Sequence, residues 1–204
     1  MNIVTFFCFY FALRWVFIIF APKKMRIAVF CSANDTIDAD FFTMTRELGE
    51  WMGHNGHTLV YGGHDTGLME CVAQAVSTAG GQVIGVIPTV LDHHGHTSRY
   101  VDVRILCETL SERKDIMLDH CDVVVALPGG LGTLDEVFSV AAASTLGYHD
   151  KRVIAFNMKG FWNPLEALLD DLQQRGFIRG DYHRHIAFAT DLDELCRLLN
   201  ASRP

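Results

Sequence analysis

A glycine-rich turn at the start of a helical pattern is the first feature of this sequence that suggests chemistry. The apolar run Val123–Leu127 leads into Pro128-Gly129-Gly130-Leu131-Gly132-Thr133-Leu134-Asp135-Glu136. Glycines let the backbone approach a ligand closely, and a helix start offers free N–H groups and a positive dipole end. The turn therefore predicts a phosphate site. Its predicted members are Gly129, Gly130, Gly132 and Thr133.

The same turn has a purely structural interpretation. Thr133 and Glu136 have the spacing of a T-x-x-E capping box, in which the Glu side chain satisfies backbone N–H groups. In that case Glu136 would only stabilise the start of the helix. We favour the phosphate site because such turns often hold phosphate, and the capping box stays open as the alternative.

A second glycine turn, Gly62-Gly63, follows the apolar run Thr58–Tyr61 and precedes another helical pattern. Neither turn has the G-x-G-x-x-G or Walker spacing, so neither indicates a dinucleotide or a triphosphate. Two glycine turns at one edge of a sheet favour a nucleoside monophosphate instead. We therefore expect Gly62 and Gly63 to contribute to substrate binding.

A basic pair occupies an unfavourable position early in a third helical pattern. Thr109 and Glu112 form a plausible capping box, which places Arg113 and Lys114 near the helix start. The helix dipole disfavours cations there by about 0.3–1 kcal/mol. Binding of a phosphate or carboxylate would explain the pair, and Arg suits it through its planar fork. Two solvated surface charges are an equally open interpretation.

The elements that position these residues alternate between two kinds. Short apolar, β-branched runs are typical of parallel strands covered by helices, and helical patterns lie between them. The predicted strands are Ile27–Cys31, Thr58–Tyr61, Val83–Ile87, Val103–Cys107, Val123–Leu127 and Val153–Phe156. The predicted helices are Ala39–His54, Gly67–Ala79, Leu110–His120, Leu134–Leu146, Pro164–Arg175 and Leu192–Asn200. The alternation predicts a single α/β domain with a Rossmann-like, doubly wound, mostly parallel sheet and helices on both faces. Ligands of such sheets bind beyond the carboxyl ends of the strands.

Charge and cysteine content restrict the class of protein. The formal net charge is −7, and because Arg14, Lys23 and Lys24 precede Met25, the rest of the chain carries −10. That charge argues against a nucleic-acid partner and favours a small molecule held by local donors. The six cysteines include no C-x-x-C pair, which indicates reduced thiols in a cytoplasmic protein.

A histidine cluster follows Pro88, at His93, His94 and His96. Metal binding is conceivable there, but no carboxylate or thiol joins these histidines at a fixed spacing. We therefore predict no metal site and no organic cofactor.

Residues 1–24 form an apolar extension ahead of the domain at residues 25–204. Ile3–Phe20 approaches the length of a membrane span but contains Arg14, which would be costly within a bilayer. A secretory signal would carry its positive charge before the apolar run. Met25 is followed directly by the first predicted strand. This favours the interpretation that Met25 is the real start and that residues 1–24 come from translation begun upstream of it. A membrane anchor and a poorly formed signal stay open, with membrane association the less favoured.

From Met25 to Asn200 the sequence resembles the LONELY GUY family of cytokinin riboside 5′-monophosphate phosphoribohydrolases, which is often labelled lysine decarboxylase. The turn at Pro128–Glu136 matches the family's PGGxGTxxE signature, and Arg113-Lys114 lies where the family carries its Arg-Lys pair. Tyr61-Gly62-Gly63 and Gly85-Val86-Ile87-Pro88 match as well. No motif for a pyridoxal phosphate lysine is present.

The resemblance implies hydrolysis of purine or cytokinin nucleoside 5′-monophosphates to free base and ribose 5-phosphate by a Rossmann-type homodimer. It implies that Arg113 and Glu136 are the catalytic pair. It also implies that the turn from Gly129 to Thr133 binds phosphate, with Lys114 beside it.

Several positions depart from the family pattern, among them Cys31–Asn34, Ala142 and Ala143. His64 replaces the third glycine of the first loop, and Glu70 replaces the glycine expected after Leu68-Met69. These changes leave room for a different function on the same fold, a non-catalytic carrier of a phosphorylated ligand such as molybdenum cofactor. The presence of both Arg113 and Glu136 favours a hydrolase over this non-catalytic carrier.

Overall fold

The computed structural model describes residues 24–93 and 95–201, and within them seven strands form one parallel sheet. The strands are β1 (Arg26–Phe30), β2 (Thr58–Tyr61), β3 (Gln82–Pro88), β4 (Val103–Cys107), β5 (Val123–Ala126), β6 (Val153–Phe156) and β7 (Ile186–Ala189). Their order across the sheet is β4-β3-β2-β1-β5-β6-β7. The order therefore reverses between β1 and β5, where parallel pairing sets Ala28 beside Val124.

The helices of the described residues cover both faces of this sheet. They are α1 (Ala39–His54), α2 (Gly67–Thr78), α3 (Thr89–His93), α4 (Leu110–Asp119), α5 (Leu131–Thr145), α6 (Asn163–Gln174) and α7 (Leu192–Ala201). Buried residues of α1, α2 and α7 form one apolar cluster with the sheet, and those of α4, α5 and α6 form a second. The doubly wound α/β prediction is confirmed.

The six predicted strands are all present, with ends that agree to within a residue. β7 was missed because its sequence, Ile-Ala-Phe-Ala, is short and contains two alanines, which have weak strand preference. Pairing with β6 specifies it instead. The short helix α3 was missed as well, since five residues are too few for a helical period to be visible.

The start predicted for α5 was wrong by three residues. The helix begins at Leu131, not at Leu134, because part of the glycine turn itself forms the first helical turn. This difference matters for the site, since Gly132 and Thr133 then lie inside the helix.

No helix in the described ranges has both the length and the apolar character that crossing a membrane requires. The prediction for residues 1–24 falls, apart from Lys24, outside the described residues. Among those that are described, Cys31, Cys71, Cys107, Cys121 and Cys196 are free thiols.

Candidate active site

A cavity of about 240 Å³ lies at the carboxyl ends of the strands, where the strand order reverses between β1 and β5. This is the position at which open α/β sheets bind their ligands. Three sets of residues line it: the segment after β1, the start of α5, and two side chains from α2 and α4. The lining residues are Cys31, Ser32, Ala33, Met69, Arg113, Gly130, Gly132, Thr133 and Glu136.

The start of α5 leaves backbone donors at this cavity. Gly130 is the N-cap residue and, being a glycine, makes no side-chain capping bond. The first N–H groups of a helix have no partner within the helix, so those of Leu131, Gly132 and Thr133 depend on another acceptor. The capping-box alternative for Thr133 and Glu136 is wrong, because neither residue caps the helix.

Gly129 precedes this helix start and serves a packing role. A Cβ atom at Gly129 would lie 2.1 Å from Thr133 Oγ1, so any side chain would displace Thr133. At Gly130 and Gly132 a Cβ would instead meet open space. The turn therefore folds closely on itself at Gly129 and leaves its other two glycines facing the cavity or solvent.

Glu136 and Arg113 form a buried ion pair at the cavity. Arg113 Nη1 lies 3.8 Å from Glu136 Oε1, and only 11% and 10% of the two side chains are exposed. Arg113 Nε also donates a hydrogen bond of 3.1 Å to the Val86 carbonyl in β3. The surface-charge alternative is therefore wrong for Arg113.

Burial raises the pKa of Glu136 to about 7, while the neighbouring Arg113 cation opposes this shift. Removal from water disfavours the charged carboxylate, and the adjacent positive charge recovers part of that cost. A carboxyl group with this pKa gains and loses a proton near neutral pH. Such a group is suited to general acid–base chemistry.

The predicted members of the second glycine turn lie beside this pair. A Cβ at Gly62 would lie 1.7 Å from Arg113 Nη2, so the arginine fills the space that a side chain would need. Gly63 has a positive φ of 77°, and a Cβ there would lie 2.3 Å from Ile87 Cγ1. Neither glycine is among the cavity-lining residues. Their contact with substrate stays a prediction.

Lys114 has partners outside the cavity lining. Its ammonium group donates to Asp135 Oδ2 at 2.8 Å and to Ser139 Oγ at 2.9 Å, which ties α4 to α5. Its predicted contact with phosphate is likewise untested. The capping prediction for the same helix fits, because Glu112 N donates to Thr109 Oγ1 and Glu112 Oε2 accepts from Glu108 N.

The motif analysis did not assign Ser32, Ala33 and Met69 to the site. Ser32 and Ala33 directly follow β1, and Ser32 N donates 3.1 Å to the Pro128 carbonyl, which joins this segment to the glycine turn. One feature could have identified Ser32 and Ala33: they follow the first strand, next to which the strand order of the sheet reverses. Cys31 also lines the cavity, and burial raises the pKa of its thiol well above the usual value, so the thiol stays neutral.

A larger groove of about 590 Å³ lies between α1 and α2, where Arg46, Glu50 and Cys71 contribute to its walls. It contains no residue of either glycine turn. The smaller cavity, which combines uncapped amides with a buried acid and a buried arginine, is the better candidate for chemistry.

The sequence is similar to several known proteins. A family model described as possible lysine decarboxylase matches residues 69–199. A cytokinin riboside 5′-monophosphate phosphoribohydrolase of Arabidopsis thaliana is 37% identical over 180 residues, which cover 88% of this chain and 78% of that protein. A protein of the same name from Mycobacterium marinum is 32% identical over 173 residues, covering 85% and 92%.

The fold has solved counterparts as well. The molybdenum cofactor carrier protein of Chlamydomonas reinhardtii superposes with a TM-score of 0.68 at 24% identity, covering 88% of this chain and 98% of the carrier. At that identity the likeness shows a common fold and nothing about the ligand.

Proposed function

The chain belongs to the family of the cytokinin riboside 5′-monophosphate phosphoribohydrolases, and from this premise we propose that it hydrolyses purine nucleoside 5′-monophosphates. The products are the free base, adenine or a cytokinin, and ribose 5-phosphate. The observation that carries the proposal is the buried Glu136–Arg113 pair beside the uncapped start of α5.

The 5′-phosphate binds at the start of α5. The N–H groups of Leu131, Gly132 and Thr133 supply donors, and the positive end of the helix dipole favours an anion. Protein cavities that enclose a whole ligand have about 300–1,000 Å³. At about 240 Å³ this cavity is suited to the reacting sugar phosphate, with the base at its open side.

Glu136 acts on the water that attacks C1′. The carboxylate accepts a proton as the water oxygen bonds to C1′, and the electron pair of the C1′–N bond passes to the base. The departing base nitrogen takes up the proton, so water is divided between the two products. The anionic form of Glu136 also stabilises the positive charge that develops on the ribose. A pKa of about 7 lets one group accept and return the proton near neutral pH.

Arg113 has a supporting role that follows from its position. Its charge lowers the pKa of Glu136 relative to burial alone, so a larger fraction of Glu136 is ionised. With its guanidinium at the cavity, it also contacts either the phosphate or the leaving base. The reaction as proposed uses water and the protein's own side chains.

Incubation with AMP and with isopentenyladenosine monophosphate tests the proposal, with chromatography to detect free base. We expect release of base from at least one of the two. Binding of either nucleotide without release would contradict the hydrolase and favour the carrier alternative. The Glu136→Gln variant is the control for contaminating activity.

We further propose that the protein acts in the cytoplasm as a homodimer. Free thiols in the described part of the chain suit a reducing compartment. Around the site, large apolar side chains are exposed on and beside α5, an arrangement that favours burial against a second copy. They are Leu131, Phe138, Leu146 and Tyr148.

A further inference from the structure

We propose that His64, Asp65 and His96 form a binding site for a divalent transition-metal ion, beside the candidate active site. One ring nitrogen from each histidine and a carboxylate oxygen of Asp65 lie within 4.8 Å of one another. Asp65 Oδ1 lies 3.4 Å from His64 Nδ1 and 3.6 Å from His96 Nδ1. The three possible ligand atoms are therefore close enough together to contact one ion.

Backbone pairing holds the two loops that carry these donors. His64 and Thr97 form an isolated antiparallel bridge, and Ser98 N donates a bond of 2.9 Å to the Gly63 carbonyl. The two imidazole rings are stacked, with centroids 5.5 Å apart and planes 7° from parallel. The fold thus holds the two loops side by side, and the exposed fractions of the side chains are 22% for His64, 34% for Asp65 and 54% for His96.

The cluster contains an acceptor that lacks a donor. Asp65 Oδ1 is shielded from solvent and accepts no hydrogen bond from the described residues. Buried polar atoms normally have a partner, and a metal ion would supply one.

The donor set indicates which ions fit. Two imidazole nitrogens and one carboxylate oxygen suit zinc and its first-row neighbours, with a fourth position left for water. Magnesium and calcium prefer all-oxygen ligands. We therefore expect zinc-type selectivity, with no strong binding of either alkaline-earth ion.

The location connects this site to the candidate cavity. Thr66 Oγ1 lies 3.0 Å from His64 Nδ1 and donates at 2.7 Å to the carbonyl of Ala33, which lines the cavity. Gly62, two residues before His64, is packed against Arg113. A bound ion would hold the loop at His96 against the turn that accommodates Arg113.

The sequence did not reveal this site because its donors are distant along the chain. The prediction of no metal rested on the spacing of His93, His94 and His96, and His94 lies outside the described residues. In the structure, the partners of His96 come from a loop about thirty residues earlier. His64 is one of the departures from the family pattern, and this site gives it a role.

Titration of the full-length, chelator-treated protein with zinc chloride tests the proposal by calorimetry and by metal analysis after dialysis. We expect one tightly held ion per chain. His64→Ala and His96→Ala should each weaken binding by at least about 10-fold, since even loss of an outer-shell partner costs that much. Asp65→Asn should weaken binding while preserving shape. His183→Ala removes an exposed histidine from another part of the chain and should bind zinc as the parent does.

Absence of saturable zinc binding would overturn the proposal, and so would equal binding by the parent and both alanine variants. Circular dichroism and thermal melting of each variant check that the fold persists. Glu136→Gln should keep its zinc, so failure of the hydrolase proposal and failure of this one are distinguishable.

Discussion

Glu136 is an acid held largely away from water, within 3.8 Å of the arginine that partly compensates its charge. Ordinary surface glutamates are ionised throughout the neutral range, whereas this one changes its protonation state there. Such a group is costly to bury, and an acid–base role in catalysis explains its presence. Two tests address it directly.

Replacing Glu136 with Gln should lower kcat by roughly 10²–10⁴-fold, the range expected for loss of a general acid–base group. The amide has the same shape but cannot take a proton from water. Nucleotide affinity, measured by calorimetry, should change little, because the phosphate is held by the backbone of α5. Full activity in this variant would show that the assigned role is wrong.

The pKa of Glu136 also predicts how stability varies with pH. A folded-state pKa of about 7 lies above the ordinary value of 4.5, so the folded protein holds this proton more tightly than the unfolded chain does. The stabilisation is complete below about pH 4.5 and is lost as pH rises through about 7, by about 3 kcal/mol in all. Urea unfolding of the parent and of Glu136→Gln at pH 5 and pH 8 measures it. Equal pH dependence in the two proteins would refute the assignment.

Removing the Arg113 charge should alter the activity profile in a defined direction. In Arg113→Ala the pKa of Glu136 loses the influence that lowers it, so the acidic limb of kcat/KM should move to higher pH. The plateau value should fall by roughly 10²-fold, since hydrogen bonds to charged groups contribute about 1.5–3 kcal/mol. Arg175→Ala is a matched control, because Arg175 is exposed, directly follows α6 and pairs with Asp171 in its last turn. An unmoved acidic limb would contradict the electrostatic role.

At the scale of elements, the important unit is the junction between the glycine turn and α5. The turn ends inside the helix, and Gly132 lies in the first helical turn with open space where a Cβ would be. Its lack of a side chain is therefore not explained by crowding within the described residues. We propose that the absence of a side chain at Gly132 keeps the backbone accessible to a ligand.

Gly132→Ala should separate folding from function. Alanine in a helix is favoured over glycine by up to about 1 kcal/mol, so the melting temperature should stay equal or rise. The added methyl group would occupy the space where phosphate approaches, so KM for AMP should rise severalfold. A KM equal to the parent's would place the phosphate elsewhere.

Short sequence patterns predicted two parts of the candidate site. The glycines from Gly129 to Thr133 predicted the turn, and the position of a cation near a helix start predicted a role for Arg113. The contribution of Ser32 and Ala33 depends on β1 lying beside β5, a long-range pairing that no local pattern encodes. Similarly, β7 exists because β6 offers it a partner. Capping was misjudged at Thr133 because T-x-x-E spacing does not reveal where a helix begins.

At the scale of the whole molecule, an exposed apolar region lies on and beside α5. Phe138 and Leu131 are two helical turns apart on one face, and both are exposed. Leu146 and Tyr148 continue the region beyond the helix end. Soluble monomers rarely leave large apolar side chains clustered and uncovered, and these four are exposed along one helix and just beyond its end.

Phe138→Asp should convert the proposed dimer to a monomer, because a buried charge at an interface is strongly unfavourable. Sedimentation velocity of the parent and the variant measures the change. Phe177→Asp is the control, since Phe177 is also exposed but follows α6. A parent protein that sediments as a monomer would contradict the dimer outright.

Helix α5 carries both the amides at its start and, five residues after Leu131, the carboxyl group of Glu136. A helix rises about 1.5 Å per residue, so the backbone positions of Leu131 and Glu136 are separated by a fixed distance of about 7.5 Å along the helix axis. In the proposed complex, this fixed spacing sets where the ribose lies relative to the phosphate. A single phosphate bound at the start of α5 would bring C1′ level with Glu136, whereas each added phosphate would move the sugar beyond it. We therefore expect discrimination against di- and triphosphates to arise from length alone.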